Sequence, residues 1–582
     1  MLNNVKEGWG SRRIYVMVLL CPMISTPMFV TLPGVATAQG ATGYLLCYTL
    51  IYFAFGIPLL YMEFIISQFT ARDCIDVWKV SSCLSHIGYI LILWQIFLVI
   101  NNHITVSFTF HYLLISFENP VPYYTCGKWS TPFCDILKRN YTISEDCIRL
   151  KNSPKYCDDL YKTFPEHQYW NYKVFTKNDP IAWRVCLASA VISVITYLSC
   201  FKRVRSLKPF VTFYTLFPIL GFTVLLLASM LQKGVVVLYQ DALDTDFEQF
   251  FKSFRFSLAL MQVVINMRLG TGLTFNLGAS APFRAPCYSN SVVVVIVCAA
   301  TTALTVCTNA MMACPYAYNY GTKPLKVLNA HMSLIYEKIP RLLNEYQGGF
   351  FWVVLALTSL TLIVISTNVI IIHHLLHVAE SRSAKIAKYP GLTTLLVVII
   401  LYIVTIPLLS VKGRKAMMDL RLIFSYISTF MTFLETIVFI IWYGWDRFTE
   451  DVHFMQGIQP KTYMKFAWLY SSAVLIYVFC YEIYTKYIEY TGGITYDVGW
   501  IAFILSMVLI VGITLLKLAV AAYKSKLSEM ISLDRTWGPR DEVLQRSRAM
   551  FTAQAMTKEY LYRQYHLQAG IQARQKLSNC RT

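Results

Sequence analysis

Apolar runs long enough to cross a bilayer recur along almost the whole chain, separated by short polar connections and, in one place, by a long stretch of mixed polarity. A helix needs about 20 predominantly apolar residues to cross roughly 30 Å of hydrocarbon. Counting on that basis predicts twelve spans, at 14–36, 43–66, 87–115, 181–200, 209–231, 250–280, 291–314, 350–378, 390–410, 421–445, 465–488 and 498–522. The region 315–349 is mildly amphipathic and interrupted by proline in LIYEKIPRLL, which predicts a short hairpin outside the membrane. The chain therefore divides into a short N-terminus (1–13), a spanning domain (14–522) with a large loop at 118–180 and the hairpin at 315–349, and a tail (523–582).

Two spans depart from a regular helix. The first carries Pro22, Pro27 and Pro33, each of which removes a backbone donor at about 3 kcal/mol or more in a helix interior. The sixth carries Arg268-Leu269-Gly270-Thr271-Gly272 at its middle. Non-helical backbone at membrane depth survives only where protein buries it or water lines it. Discontinuous helices at matching places in two five-helix halves point to a transporter's central site. The expected fold is an all-α integral membrane protein of twelve transmembrane helices, with a five-plus-five inverted repeat and broken first and sixth helices.

Composition agrees: 56% of the residues are hydrophobic and 14% charged, against about 25% charged in a typical soluble domain. That excludes a soluble enzyme, a disordered chain and a receptor with a single anchor. The formal net charge of +19 would suit a nucleic-acid partner, but the basic residues sit at Arg12 and Arg13, KRVRSLK (202–208), RSAKIAK (382–388) and the tail. All fall on one side of the predicted spans, so the charge reports topology, with both termini cytoplasmic in a plasma-membrane protein. No nucleic-acid partner is expected. The tail has helical potential from 542 to 575 and is basic enough to meet lipid head groups or a binding protein.

Most of the 16 cysteines lie in apolar spans, where cysteine behaves as a small hydrophobe. Cys126, Cys134, Cys147 and Cys157 instead share the long polar loop with the sequon Asn140-Tyr141-Thr142, on the side opposite the basic loops. At least one disulfide and a glycan at Asn140 are expected there. No cleavable signal peptide is evident. His373 and His377 stand at the i, i+4 spacing of a transition-metal site beside His374, with polar packing inside the bundle the favoured reading. Glu63 and Glu435 read as hydrogen-bonding carboxyls between helices, with proton coupling as the alternative. No P-loop, HExxH or nucleophile elbow occurs, so neither catalysis nor an organic cofactor is expected.

A series of motifs runs in a fixed order: Trp9-Gly10, GIPLLYME (56–63), HIGY (86–89), SFENPVPYYTCGKWSTPFC (116–134), TLFP (215–218), QDA (240–242), PCY (286–288), YGWDRFTEDVHFMQG (443–457) and WGP (537–539). In this order and spacing, over about residues 8–540, the chain resembles the sodium- and chloride-dependent neurotransmitter symporter family, whose members share the fold of bacterial leucine transporters. Cys126 and Cys134, both inside the matched loop segment, are the pair expected to be bonded.

The resemblance implies roles residue by residue. Ser25 falls where monoamine transporters carry Asp, which disfavours cationic amines. Ser366 and Thr367, with carbonyls of Cys21, Ile24 and Ile363, fall on the family's second sodium site. The first sodium site is degraded, with Met23, Met28, Asn266 and Cys298 at its positions, since thioether and thiol are poor ligands for a hard cation. Tyr48, Gln262, Asn266 and Thr302 occupy the chloride positions and can each donate to an anion. The pocket tyrosine is replaced by Asn102, the outer gate arginine by Thr31, and the gate's acid by a displaced Asp419. Arg268, before Gly270 and Gly272, is gained. A guanidinium in mid-span costs at least about 2.5–3.5 kcal/mol on insertion scales, so it is expected to supply charge to the pocket and pair with a substrate carboxylate.

These residues describe a one-sodium or weakly sodium-dependent carrier, with chloride as an open second ion, for uptake of an amino acid or related zwitterion by alternating access. The competing reading is a family member that has lost transport and serves as a scaffold, sensor or regulator. Membrane lipid and a small solute are the expected partners, with a homo-oligomer or a tail-binding protein left open.

Overall fold

The computed structural model describes residues 9–551 apart from 10, 26, 39–40, 132–133, 135–163, 175–182, 237–238, 240–252, 321–323, 325–327, 329–333, 491–497 and 535–536. Asn140, Cys147 and Cys157 lie outside the described residues. Every regular element among those described is helical.

Ten helices are long and apolar enough to cross a membrane among the described residues. They are α3 (Ala41–Thr70), α4 (Ile87–Ile115), α5 (Trp183–Cys200), α6 (Val204–Met230), α9 (Cys287–Tyr320), α11 (Gly349–Arg382), α12 (Pro390–Leu408), α13 (Val411–Trp442), α15 (Thr462–Tyr490) and α16 (Val498–Tyr523). Between and before them lie two pairs of shorter helices: α1 (Arg12–Met23) with α2 (Leu32–Ala38), and α7 (Ser253–Asn266) with α8 (Leu273–Ala279). Short helices outside the spans include α10 (Ile339–Asn344), α14 (Trp445–Gln456) and α17 (Glu542–Ala549).

Burial sorts the helices into an inner and an outer set. The most apolar stretch of α11 is 83% buried, whereas those of α12 and α16 are 22% and 17% buried. A helix that is apolar all round and largely uncovered must face lipid; one equally apolar but covered forms the core. α11 packs along α4, α6 and α1, while α8 packs on α3 and α7 on α13 and α3. These shorter helices are thus held by inner ones.

The helix predicted at 421–445 instead starts ten residues earlier, at Val411. Ser410 caps it by accepting from the Gly413 amide at 3.2 Å, and the Arg414 guanidinium lies 4.6 Å over the Phe108 ring and donates to the Val174 carbonyl at 2.9 Å. Cation–π contact and hydrogen bonding let a charged first turn continue a span. In the region predicted as a hairpin, residues 334–338 and α10 are helical. Cys126 and Cys134 form a disulfide with Cα atoms 6.0 Å apart. Of the tail's predicted helix, α17 is the described part.

Candidate functional site

The two interruptions are stitched to the rest of the molecule by side chains. After α7 the backbone tightens and reverses: Leu269 N donates to Val264 O at 3.0 Å, and Arg268 takes φ +57°, the left-handed region a non-glycine residue rarely adopts. Gly270 and Gly272 follow at φ +65° and +75°. A Cβ on Gly270 would lie 2.4 Å from the Ser428 carbonyl oxygen, and one on Gly272 would lie 2.9 Å from Cys74 Cβ. Glycine is required at both by backbone conformation and by space.

Orphaned backbone groups of this break find partners on three other helices. Gly270 N donates to Glu63 Oε1 of α3 at 2.9 Å, and Thr274 Oγ1 donates to the other carboxyl oxygen. Gln95 Nε2 of α4 donates to Thr271 O at 2.9 Å, and Ser428 Oγ of α13 to Leu269 O at 2.6 Å. An unpaired backbone group at this depth costs several kcal/mol, so these contacts explain why irregular chain persists there. Glu63 therefore has the interhelical role expected of it, and the Glu435 carboxyl is buried beside it.

Between α1 and α2 the described chain is irregular at Ile24 and Ser25. Ile24 N still bonds Leu20 O at 2.8 Å, but with prolines at 22 and 27 the ladder lapses and a π-turn at Pro27–Thr31 leads into α2. Arg268 Nε donates to the Pro22 carbonyl at 3.0 Å, joining the two breaks directly. The guanidinium is 3% exposed, makes no other side-chain hydrogen bond, and has no carboxylate within ion-pair distance among the described residues. Thr305 Oγ1 of α9 donates to the Met28 carbonyl at 3.1 Å.

Four of the five residues expected at the second sodium site come together. Ser366 Oγ lies 3.5 Å from the Cys21 carbonyl oxygen and 2.8 Å from that of Ile363, and Thr367 Oγ1 lies 3.1 Å from the latter. Ile24 closes the same turn of α1. Hydroxyl and carbonyl oxygens without sulfur or nitrogen form a donor set suited to a hard cation, while the hydroxyl hydrogens bond their own helix. At the first-site positions, Met23, Met28 and Cys298 are fully buried and present sulfur. Asn266 donates its amide to Tyr48 Oη, which in turn lies 3.4 Å from Tyr52 Oη. The Asn266 and Gln262 carbonyl oxygens and the Thr302 hydroxyl are buried without partners. Of the four chloride positions, Tyr48 and Asn266 are therefore bonded to each other.

Ser25 Oγ and Asn102 Nδ2 are likewise buried without hydrogen-bond partners among the described residues. His103, beside Asn102, turns toward α5, with Nε2 3.1 Å from Ser189 Oγ. No group of three metal-binding side chains occurs among the described residues, and His373 and His374 are packed inside the bundle while His377 is exposed.

Two residues escaped the sequence reading. Asn368, one position beyond Thr367, is buried with neither amide atom bonded. Arg421 of α13 places Nη2 3.4 Å from Thr31 Oγ1, so the outer position that lost its arginine faces one from another helix. An intramembrane arginine is the available signal, obscured because the apolar run predicted at 421–445 begins at that residue.

Comparison with known proteins agrees with this architecture. The chain is 24% identical over 538 residues to the bovine sodium- and chloride-dependent creatine transporter 1, covering 88% of this chain and 83% of that one. It is 20% identical to the human sodium- and chloride-dependent neutral and basic amino acid transporter B(0+), covering 92% and 90% respectively. It is 22% identical to the Xenopus laevis sodium- and chloride-dependent glycine transporter 1, covering 81% and 77%. The sequence model of the sodium:neurotransmitter symporter family matches residues 6–521, and the chain belongs to that family of multi-pass membrane solute transporters.

Proposed function

We propose that the protein is a secondary active transporter of the plasma membrane that couples one sodium ion to uptake of a small carboxylate-bearing solute, an amino acid or related zwitterion. In this reading the bundle has twelve spans in a five-plus-five inverted repeat, the first made by α1 and α2 and the sixth by α7 and α8, with both termini cytoplasmic. Sodium is held by Ser366, Thr367 and the carbonyls of Cys21, Ile24 and Ile363. The first sodium site is not used, because sulfur at Met23, Met28 and Cys298 replaces oxygen. Chloride at Tyr48, Gln262, Asn266 and Thr302 is an accessory to the cycle rather than its driver.

The observation that supports the reading is Arg268: a buried guanidinium between α1 and the α7–α8 junction, bonded through Nε, with no carboxylate within ion-pair distance among the described residues. A carboxylate seated on its terminal nitrogens, above Ser25 and near Gly270 and Gly272, supplies that charge. Asn102 contributes its amide to the same solute. The three relatives compared above are named for creatine, for amino acids and for glycine, solutes that all carry a carboxylate.

Uptake of a labelled carboxylate panel into cells with matched surface expression tests this. Arg268→Ala is expected to abolish transport and Arg268→Lys to retain part of it; unchanged uptake in both sinks the assignment. The Arg268 to Pro22 bond also favours a second reading, in which the breaks are tied together and the protein regulates rather than carries. Absence of flux for every solute despite surface expression supports that one.

A further inference from the structure

Trp9 closes over a pair of imidazoles. His373 and His374 stand side by side in the last third of α11, 5% and 1% exposed, with ring centroids 5.5 Å apart. The indole of Trp9 lies 5.8 Å from the His373 ring. None of the four imidazole nitrogens has a hydrogen-bond partner among the described residues. A neutral imidazole has one N–H to donate and one nitrogen that accepts, so the pair buries two donors and two acceptors unsatisfied. Each is a desolvation cost that contact with water relieves.

The cover over them is slight. Trp9 Nε1 donates to Ser280 Oγ at 3.0 Å, where α8 ends. Arg12, in the first turn of α1, donates to Asn290 Oδ1 at 3.0 Å and to Ser289 Oγ at 2.6 Å, both in the first turn of α9. Trp9 and Arg12 thus strap the start of the chain across from α11 to α8 and α9 through three side-chain hydrogen bonds, none of them to a carboxylate.

The charges near the pair do not satisfy it. Those that reach it are His377, further along α11, and Arg203, in the connection between α5 and α6. Arg203 is itself held by Glu380, Thr393 and Thr394. Of the helices packed on α11, α1 brings Arg12, bonded as above, and the phenol of Tyr15 beside Cys287; α5 brings Cys200, whose thiol donates to the Val369 carbonyl. α6 brings Tyr214, bonded to Ser199, while Tyr89 of α4 is exposed and α8 carries no titratable residue. Arg382, at the end of α11, pairs with Asp73 and Asp76 of the loop after α3. An imidazolium sealed under the indole therefore has no counter-ion among the described residues, and a buried unpaired charge is the costliest group a bundle can hold.

We infer that His373 and His374 are a proton-binding site closed by Trp9. With the strap seated they are covered and neutral; when it lifts they meet water and take up protons, as wet imidazoles do near neutral pH. The state that binds more protons gains as pH falls, so acid on that face favours the lifted strap. In the topology proposed above the face is cytoplasmic, and cytoplasmic acidity then governs opening of the inner end; that assignment of compartment alone rests on the transporter reading.

The test is hydrogen exchange over residues 11–20 in the purified full-length protein at pH 7.5 and pH 5.5, corrected for its intrinsic pH dependence. An imidazole that is barred from protonation when covered and titrates near its ordinary value of about 6.5 when wet raises the opening equilibrium about tenfold between those two values. Wild type is expected to exchange roughly tenfold faster at the lower pH if one ring is exposed, and up to about a hundredfold if both are. Glutamine keeps hydrogen-bonding capacity and does not titrate, so the rise should shrink in His373→Gln and in His374→Gln and vanish when the two are combined. Trp9→Ala should exchange fast at both values, with the pH dependence lost. A rise of the same size in the combined variant, or in both single variants should the combined one not fold, overturns the inference. So does wild-type exchange that is flat or slows toward acid. Exchange needs no flux, so a protein that moves no solute yet shows this dependence loses the transporter reading and keeps the proton site.

Discussion

At position 268 a positive charge, a left-handed backbone and near-complete burial coincide in one side chain. A non-glycine residue at φ +57° stores strain of order 1–3 kcal/mol, and it persists only because the surroundings over-determine it. Those surroundings are testable at Gly270, where an added Cβ would collide with backbone and hydroxyl oxygen of α13. Gly270→Ala should lower the melting temperature in detergent markedly, by an amount corresponding to about 1–3 kcal/mol or more, and abolish transport; an unaltered melting curve would show that the break can relax. At the proposed cation site, Ser366→Ala and Thr367→Ala each remove one oxygen ligand. The sodium concentration for half-maximal uptake is expected to rise by roughly tenfold in each, the effect of losing one charged-group contact. Part of this site was legible in sequence because the ordered motifs fix register, so Cys21, Ile363 and the pair at 366–367 could be named, and the carbonyls of Cys21 and Ile363 lie beside the Ser366 hydroxyl. Asn368 and Arg421 could not, since their importance depends on which helix faces them. The mutual bond of Asn266 and Tyr48, and that of Arg268 to Pro22, were equally invisible, being contacts between residues more than two hundred positions apart.

Among elements, the ten long apolar helices followed from run length alone, and Ile87–Ile115 coincides with its predicted bounds. The misplaced start of α13 has the opposite lesson. Lys412, Arg414 and Lys415 argue against a span in sequence, yet rings from α4 and the polar loop receive Arg414. Arg414→Ala is accordingly expected to weaken the first turns of α13, seen as faster hydrogen exchange over 411–418. The outer hairpin carries a pH signal. Burial of Lys338, partly opposed by Glu337, lowers its pKa to about 8. A lysine whose folded pKa lies below its unfolded value of about 10.4 binds fewer protons when folded, so stability should rise with pH between about 8 and 10.4 and stay flat below. Hydrogen exchange over 334–344, corrected for its intrinsic pH dependence, should show protection increasing from pH 7 to pH 9. Lys338→Met should remove that trend, and a trend of the opposite sign would contradict the assignment.

Over the whole molecule, the tail lies against the loops that follow α3 and α13. Asp534 N donates to Val80 O, Arg540 N to Thr70 O and Trp537 Nε1 to Val77 O, at 3.0, 3.1 and 3.2 Å. Arg548 pairs with Asp451 at 2.6 Å and Glu450 at 3.0 Å. Arg548→Ala should expose α17, read as faster exchange over 542–549. At the same face Trp9 Nε1 bonds Ser280 Oγ at 3.0 Å, so the chain before α1 is tied to the end of α8. All of this presupposes coupled transport, and reconstituted uptake decides it. Proteoliposomes given a solute gradient of zero and an imposed sodium gradient should accumulate a carboxylate solute, with one sodium moved per solute and accumulation lost when choline replaces sodium. Accumulation that is identical in choline, or none in either ion with correctly inserted protein, would contradict the account.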